Sequence, residues 1–317
     1  MTRGHDADAA AGRAGPAPAS ARHWAAIPLI SLLWGMNWPT QALALHEISP
    51  WTLRTMTLGG GGLLLLAVSL LRGHSLRIPL REWPRVVLFT LLYIVAQNLL
   101  ISFAQLLAPS GRMAIVTYTM PIWTTVLAAL LLHEPVNRAR RLSLAFGTLG
   151  LAALAWPAIH TGTYWGWVLA LGSAWCWAAS VILIKRYPVS ATPRAVTTWQ
   201  LILGGACMCI GMLVVDGVPA PGTLSMIAGA AIAYNILSQA VSQVLWFDTL
   251  GRMPAVLASL GVLMVPPVAM VGSMLLLHEQ PTLLDGLGLV LITCASAAVQ
   301  IPWPAQWPRR KPRAARA

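Results

Sequence analysis

The chain has 317 residues, of which 57% are apolar and only 9% charged, with a mean hydropathy of +0.69. About a quarter of an ordinary soluble protein is charged, so the deficit points to lipid as the solvent and excludes a soluble domain. The net charge of +12 does not mark a nucleic-acid-binding module, because the basic residues lie in short clusters between apolar runs and not on one continuous face.

In chain order, residues 1–22 are rich in Ala, Gly and Pro and predict a disordered tail, since they cannot bury enough apolar surface to fold. The apolar run that follows is too long for the hydrophobic region of a cleaved signal and reads as a retained anchor. Ten runs long enough to cross a bilayer succeed one another, at about 24–44, 51–71, 85–106, 111–132, 141–158, 164–184, 195–215, 224–247, 253–277 and 283–301. A basic tail, 303–317, closes the chain. The four cysteines, Cys176, Cys207, Cys209 and Cys294, fall inside these runs without metal-ligand spacing, so they read as small core residues. No cofactor and no metal site is expected.

With the N-terminus in the cytoplasm, all basic residues except Arg54 and Arg112 fall in cytoplasmic tails and loops. One helix more or fewer would invert every later loop and destroy that bias. The C-terminus is therefore expected in the cytoplasm as well. Arg far outnumbers Lys, which hints at a high-GC bacterial genome and the inner or sole plasma membrane.

The sequence repeats. Met120-Pro121-Ile122-Trp123 through Leu132-His133-Glu134 aligns without gaps on Val265-Pro266-Pro267-Val268 through Leu277-His278-Glu279, an offset of 145 residues. The same offset sets Asn98 on Gln243, and a looser one of 141 sets Trp34 on Trp175. A unit of five spans is odd, so the second copy enters the membrane upside down. The expected fold class is an all-α membrane protein of ten transmembrane helices in two inverted five-helix repeats, 23–158 and 159–302. A substrate site is expected near the midplane between them.

The stretch Trp34-Gly35-Met36-Asn37-Trp38, followed by Ser49-Pro50 and Arg54, resembles the start of the EamA repeat of the drug/metabolite transporter superfamily. Pro121 to Glu134 and Pro266 to Glu279 resemble its second half. The likeness covers about 24–301 and implies a carrier, with export as the direction. Two departures put a symmetric binding site in doubt: the glycine usual after the Glu is Gly288 in the second copy but Ser143 in the first, and Trp175-Cys176 replaces the Trp-Gly pair.

Polar side chains inside a span are costly unless they face a partner or a hydrated cavity. Trp34, Asn37, Trp38 and Gln41 share one face of the first span, and Asn235, Gln239, Ser242, Gln243 and Trp246 share one face of the eighth. The third carries Gln97 and Asn98 near its centre. The candidate substrate contacts are Trp34, Asn37, Trp38, Gln97, Asn98, Trp175, Asn235, Gln239 and Gln243. Helix-to-helix hydrogen bonding is the alternative for each amide, and core packing for each tryptophan. Arg54 has two possible partners, Glu47, which is favoured, and a substrate carboxylate. Glu134 and Glu279, at helix ends, are expected to accept from the first N–H groups of the helices that follow. Pro39, Pro121, Pro266 and Pro267 have two readings, hinges for alternating access and bends lining the cavity, of which the bends are favoured.

No Asp or Glu sits in the middle third of any span, which argues against proton coupling through a buried acid and supplies no catalytic constellation. The function expected is secondary transport of a small neutral or zwitterionic metabolite such as an amino acid or nucleobase-like compound, with multidrug efflux as the alternative. The expected partners are that small molecule and the lipid bilayer, with no nucleic acid, and the chain acting as monomer or homodimer.

Overall fold

In the computed structural model the described residues are 21–161, 164–217, 224–250 and 263–300. Helices account for nearly all of them, and no strand occurs among them. Ten helical elements are described: α1 (Ala21–Leu45), α2 (50–71), α3 (80–107), α4 (110–131), α5 (Arg138–Thr161), α6 (Tyr164–Arg186), α7 (Pro193–Val215), α8 (Met226–Leu250), α9 (Val265–Leu277) and α10 (Leu283–Gln300). Of these, α2, α3, α4, α6 and α7 are by length and apolarity able to cross a membrane, and α9 and α10 are shorter apolar helices. The chain is an all-helical, multi-pass membrane protein. The tails expected at 1–22 and 303–317 fall outside the described residues, except for the start of α1 at residues 21 and 22, as does most of the first half of the ninth span, 253–262.

Helix boundaries follow local chemistry. Ser49 and Thr192 each stand before a proline and cap their helix, the hydroxyls accepting from the N–H of Thr52 and Ala195 at 3.2 Å. Tyr118 and Thr119 interrupt α4, and Pro121 stands near the start of the segment that resumes. Leu263 and Met264 form the corresponding turn before Pro266, so these prolines initiate helices instead of bending them. At the far ends, His133 and His278 adopt left-handed backbone with φ of 52° and 56°. The N–H of Glu134 then reaches the Ala128 carbonyl and that of Glu279 reaches Ser273, which closes both helices in the same seven-residue turn.

The packing has a regular plan. α1 packs on α8 and α9, α6 packs on α3 and α4, α2 on α7, and α5 on α10. Replacing each helix by the one five places along maps this pattern onto itself. α2 and α7 meet through glycines, with Gly59 backbone directly against Gly205. The largest apolar core joins Ile101, Met113, Ile115, Ile122, Leu154, Ala170 and Ile292 from five helices. Outward-facing residues such as Leu63, Leu149, Ile210, Val271 and Val290 remain exposed, an apolar perimeter that suits contact with acyl chains.

Six carboxylates fasten the two ends of the molecule. At the end carrying Arg72, Arg138 and Lys185, here termed the basic end, Glu82 accepts from the N–H and hydroxyl of Ser190, while Glu134 holds Lys185 and Arg140. At the opposite end Glu47 accepts from the N–H and hydroxyl of Ser225, and Asp216 from Thr52 and Ser49. Asp285 there takes both Nε and Nη2 of Arg112, at 2.6 and 2.8 Å. Glu279 accepts from the backbone N–H of Ser110 and Gly111 at 2.6 and 3.0 Å, so it caps α4 in the other half of the chain and not the helix that follows it. Glu47 is thereby committed to Ser225, and the expected Arg54–Glu47 pair does not form.

Candidate functional site

Between the two halves lies a cavity of about 470 Å³, within the range of small-molecule sites. It runs from Gln41 and Arg54, near the non-basic ends of α1 and α2, to Pro193 and Thr197 at the basic end of α7. Its wall carries the amides Asn37, Gln97, Asn98, Gln239 and Gln243 and six aromatic rings, with no carboxylate among the lining residues.

Local backbone geometry sets this wall. A π-helical stretch, Thr55–Gly59, follows Arg54 directly, and a second, Thr90–Ala96, precedes Gln97. A wider turn shifts the helical phase after it; Tyr93, within the second stretch, and Gln97, Asn98 and Ile101, after it, all reach the cavity. The interruption of α4 presents Thr117 and Tyr118 to the same space. Five of the aromatic rings form two groups. Trp34 lies 5.7 Å from Trp246, while Trp177 meets Tyr93 at 6.0 Å and Tyr118 at 5.7 Å.

Most of the expected contacts come together here: Trp34, Asn37, Trp38, Gln97, Asn98, Gln239, Gln243 and Arg54 all line the cavity. Trp34 is fixed by donation from Nε1 to the Ser242 hydroxyl at 2.7 Å. The Trp38 carbonyl accepts from Gln105 and Ser110, both at 3.0 Å, which ties α1 to the junction of α3 and α4. Two expected residues stand elsewhere. Trp175 is 44% exposed on the outer face of α6, beside Trp123, and Trp177 takes the place foreseen for it. Asn235 is buried behind the wall, donating to Thr40 and accepting from Gln41 at 3.1 Å. Its place is to position Gln41.

Arg54 is 3% exposed. It donates from Nε to the Ser102 hydroxyl at 2.6 Å and from Nη2 to Gln41 Oε1 at 2.8 Å. Tyr118 and Trp177 had not been singled out. For Tyr118 a signal existed in Pro121, which is favoured in the first turn of a helix and so admits a break just before it; for Trp177 the only signal was a second tryptophan two residues along.

A helical membrane protein that encloses a cavity of amides and aromatic rings between two similarly packed halves has the build of a small-molecule carrier. The chain belongs to the EamA-like transporter family, whose sequence profile matches residues 24–156 and 164–300. It is 24% identical over 268 residues to the uncharacterized transporter YoaV of Bacillus subtilis, covering 84% of this chain and 92% of that one. It is also 24% identical over 283 residues to a probable amino-acid metabolite efflux pump of Escherichia coli K12, covering 83% and 90%. A solved crystal structure shares the fold, with a TM-score of 0.59 and 22% identity over 86% of this chain and 96% of that one. The resemblance drawn from the two sets of motifs is thus confirmed.

Proposed function

We propose that this transporter works by alternating access, exporting a small neutral or zwitterionic metabolite from a site between two inverted five-helix repeats, with both termini in the cytoplasm. The observation that carries the reading is the cavity itself. Amides from α1, α3 and α8 and rings from both halves converge on it, where a pathway between inverted repeats would lie. The self-mapping packing plan supports the duplication, and five helices per unit make the inversion follow. Clustering of arginines at one end supports placing that end in the cytoplasm of a bacterial inner membrane. The printed description of the Escherichia coli relative, an amino-acid metabolite efflux pump, favours amino-acid-like cargo.

Cells overproducing the chain and challenged with toxic amino-acid, base and drug analogues should gain resistance to the amino-acid analogues first. Asn98→Ala and Gln243→Ala should remove that resistance at unchanged membrane abundance; resistance that persists in both would return these amides to helix packing. A reporter fused after residue 160 should read as extracytoplasmic and one after residue 313 as cytoplasmic, and the reverse for either would overturn the topology.

A further inference from the structure

Two arginines stand at the non-basic end, Arg54 buried and Arg112 partly buried, and they are treated differently. Arg112 meets a carboxylate, Asp285, through both nitrogens of one edge of its guanidinium. Arg54, on the cavity wall, is given only two neutral acceptors, the Ser102 hydroxyl and the Gln41 amide oxygen. The six carboxylates whose side chains are described are all engaged elsewhere: Glu47 with Ser225, Glu82 with Ser190, Glu134 with Lys185 and Arg140, Asp216 with Thr52, Glu279 with Ser110 and Gly111, and Asp285 with Arg112.

An ionised guanidinium out of water calls for a counter-charge, and burying one without it is costly. The neutral partners do something narrower. Ser102 is itself held by donation to the Asn98 carbonyl at 2.8 Å, and Gln41 by Asn235, so Nε and one N–H of Nη2 are locked against a rigid scaffold. The opposite edge of the guanidinium, one N–H from each terminal nitrogen, has no acceptor among the described residues. That edge matches a carboxylate in the two-pronged geometry that arginine favours. Both aromatic groups, Trp34 with Trp246 and Tyr93 with Trp177 and Tyr118, line the same cavity.

We propose that Arg54 is the carboxylate anchor of the cavity, so that the carried molecule is a small organic acid or amino acid whose carboxylate completes the Arg54 pairing while its apolar or aromatic body lies against the two ring groups. The inference rests on the cavity being the substrate site, and it shifts the cargo from neutral compounds to anions and zwitterions that carry a carboxylate. A nucleobase lacks the anion, and a cationic drug would meet Arg54 as a like charge. Asn235 and Ser102 act as positioning residues, through Gln41 and directly.

The test compares acids with their amides on the full-length protein in detergent, using quenching of the cavity tryptophans by two probe pairs, 3-phenylpropanoate with 3-phenylpropanamide and L-phenylalanine with L-phenylalaninamide. The acid of each pair should bind about tenfold or more tighter, the worth of one charge-assisted pairing. In Arg54→Gln the ratio of acid to amide affinity should fall to near parity. Arg54→Lys, which keeps the charge and loses the fork, should show an intermediate ratio. Equal binding of acid and amide by the natural protein, an acid preference surviving in Arg54→Gln, or no acid binding at millimolar concentration would each overturn the anchor. If Arg54→Gln does not fold, the ratios in the natural protein and Arg54→Lys decide. Resistance to neutral or cationic compounds in the overproduction assay, without acid preference, would remove the anchor and leave the transporter reading standing. Absence of flux for every compound would remove that reading itself.

Discussion

The seam between α2 and α7 offers the sharpest structural test. A methyl group added at Gly205 would lie 2.6 Å from Cα and 2.7 Å from N of Gly59, and 3.4 Å from the carbonyl carbon of Leu58. These are backbone atoms and cannot rotate aside, and non-bonded carbons rest at about 3.5–4.0 Å, so Gly205→Ala must part the helices by roughly 1 Å. Overpacking of that kind costs about 1–3 kcal/mol, which outweighs the gain of about 0.5–1 kcal/mol from replacing a helical glycine by alanine. Gly229→Ala is the matched control, because nothing lies within 4 Å of its added methyl and only the propensity gain remains. Unfolding of both variants by SDS in mixed micelles should therefore move in opposite directions. Gly59 ends the π-helical stretch that begins just after Arg54, and Leu58, Thr197 and Leu201 line the cavity from the two helices. Flux should thus fall in Gly205→Ala and not in Gly229→Ala. A Gly205→Ala protein as stable as the natural one, beside a normally behaving control, would refute the close seam.

Other outcomes follow from the same geometry. Asp285→Ala strands Arg112, whose side chain is 10% exposed, and should cost about 3–5 kcal/mol; Arg112→Met combined with Asp285→Leu should recover most of it, and a double variant as unstable as the single one would show that the pair is not the cause. Trp177→Ala should raise KM about three- to tenfold by removing the ring between Tyr93 and Tyr118, whereas Trp175→Ala, on the outer face, should leave transport unchanged; equal effects would contradict the cavity wall described. The pH response of the two repeated glutamates should differ. Lys185 first, and then Arg140, hold the Glu134 carboxyl below its ordinary value of 4.5, so its contribution to stability is present above that value and is lost as pH falls through the lowered one. Burial raises the Glu279 carboxyl, against the N–H bonds of Gly111 and Ser110, so between its ordinary and raised values it keeps a proton when folded and stability declines as pH rises. Glu279→Gln should flatten that decline in unfolding measured against pH, and an unchanged slope would show that another group titrates there.

Much of this was legible in residue order because it depends on period and count. Apolar run length marks a membrane chain, the offset of 145 residues marks the duplication, and the confinement of acids to span ends leaves the cavity to amides and rings. Side-chain direction and pairing were not legible in the same way. Trp175 and Trp177 are two residues apart, about 200° around a helix, so only the docking of α6 decides which ring faces the cavity. The π-helical turns shift the phase of α2 and α3 in a way that no apolar period records. Glu47 is seven residues from Arg54 and 178 from Ser225, yet it bonds Ser225, because the meeting of α8 with the α1–α2 connection offers an N–H and a hydroxyl together. The sequence by itself determined the solvent, the repeat and the kinds of side chain available to the cavity. The tertiary structure alone decided that Arg54 should stand among neutral partners, because burial and pairing depend on which distant helices come into contact.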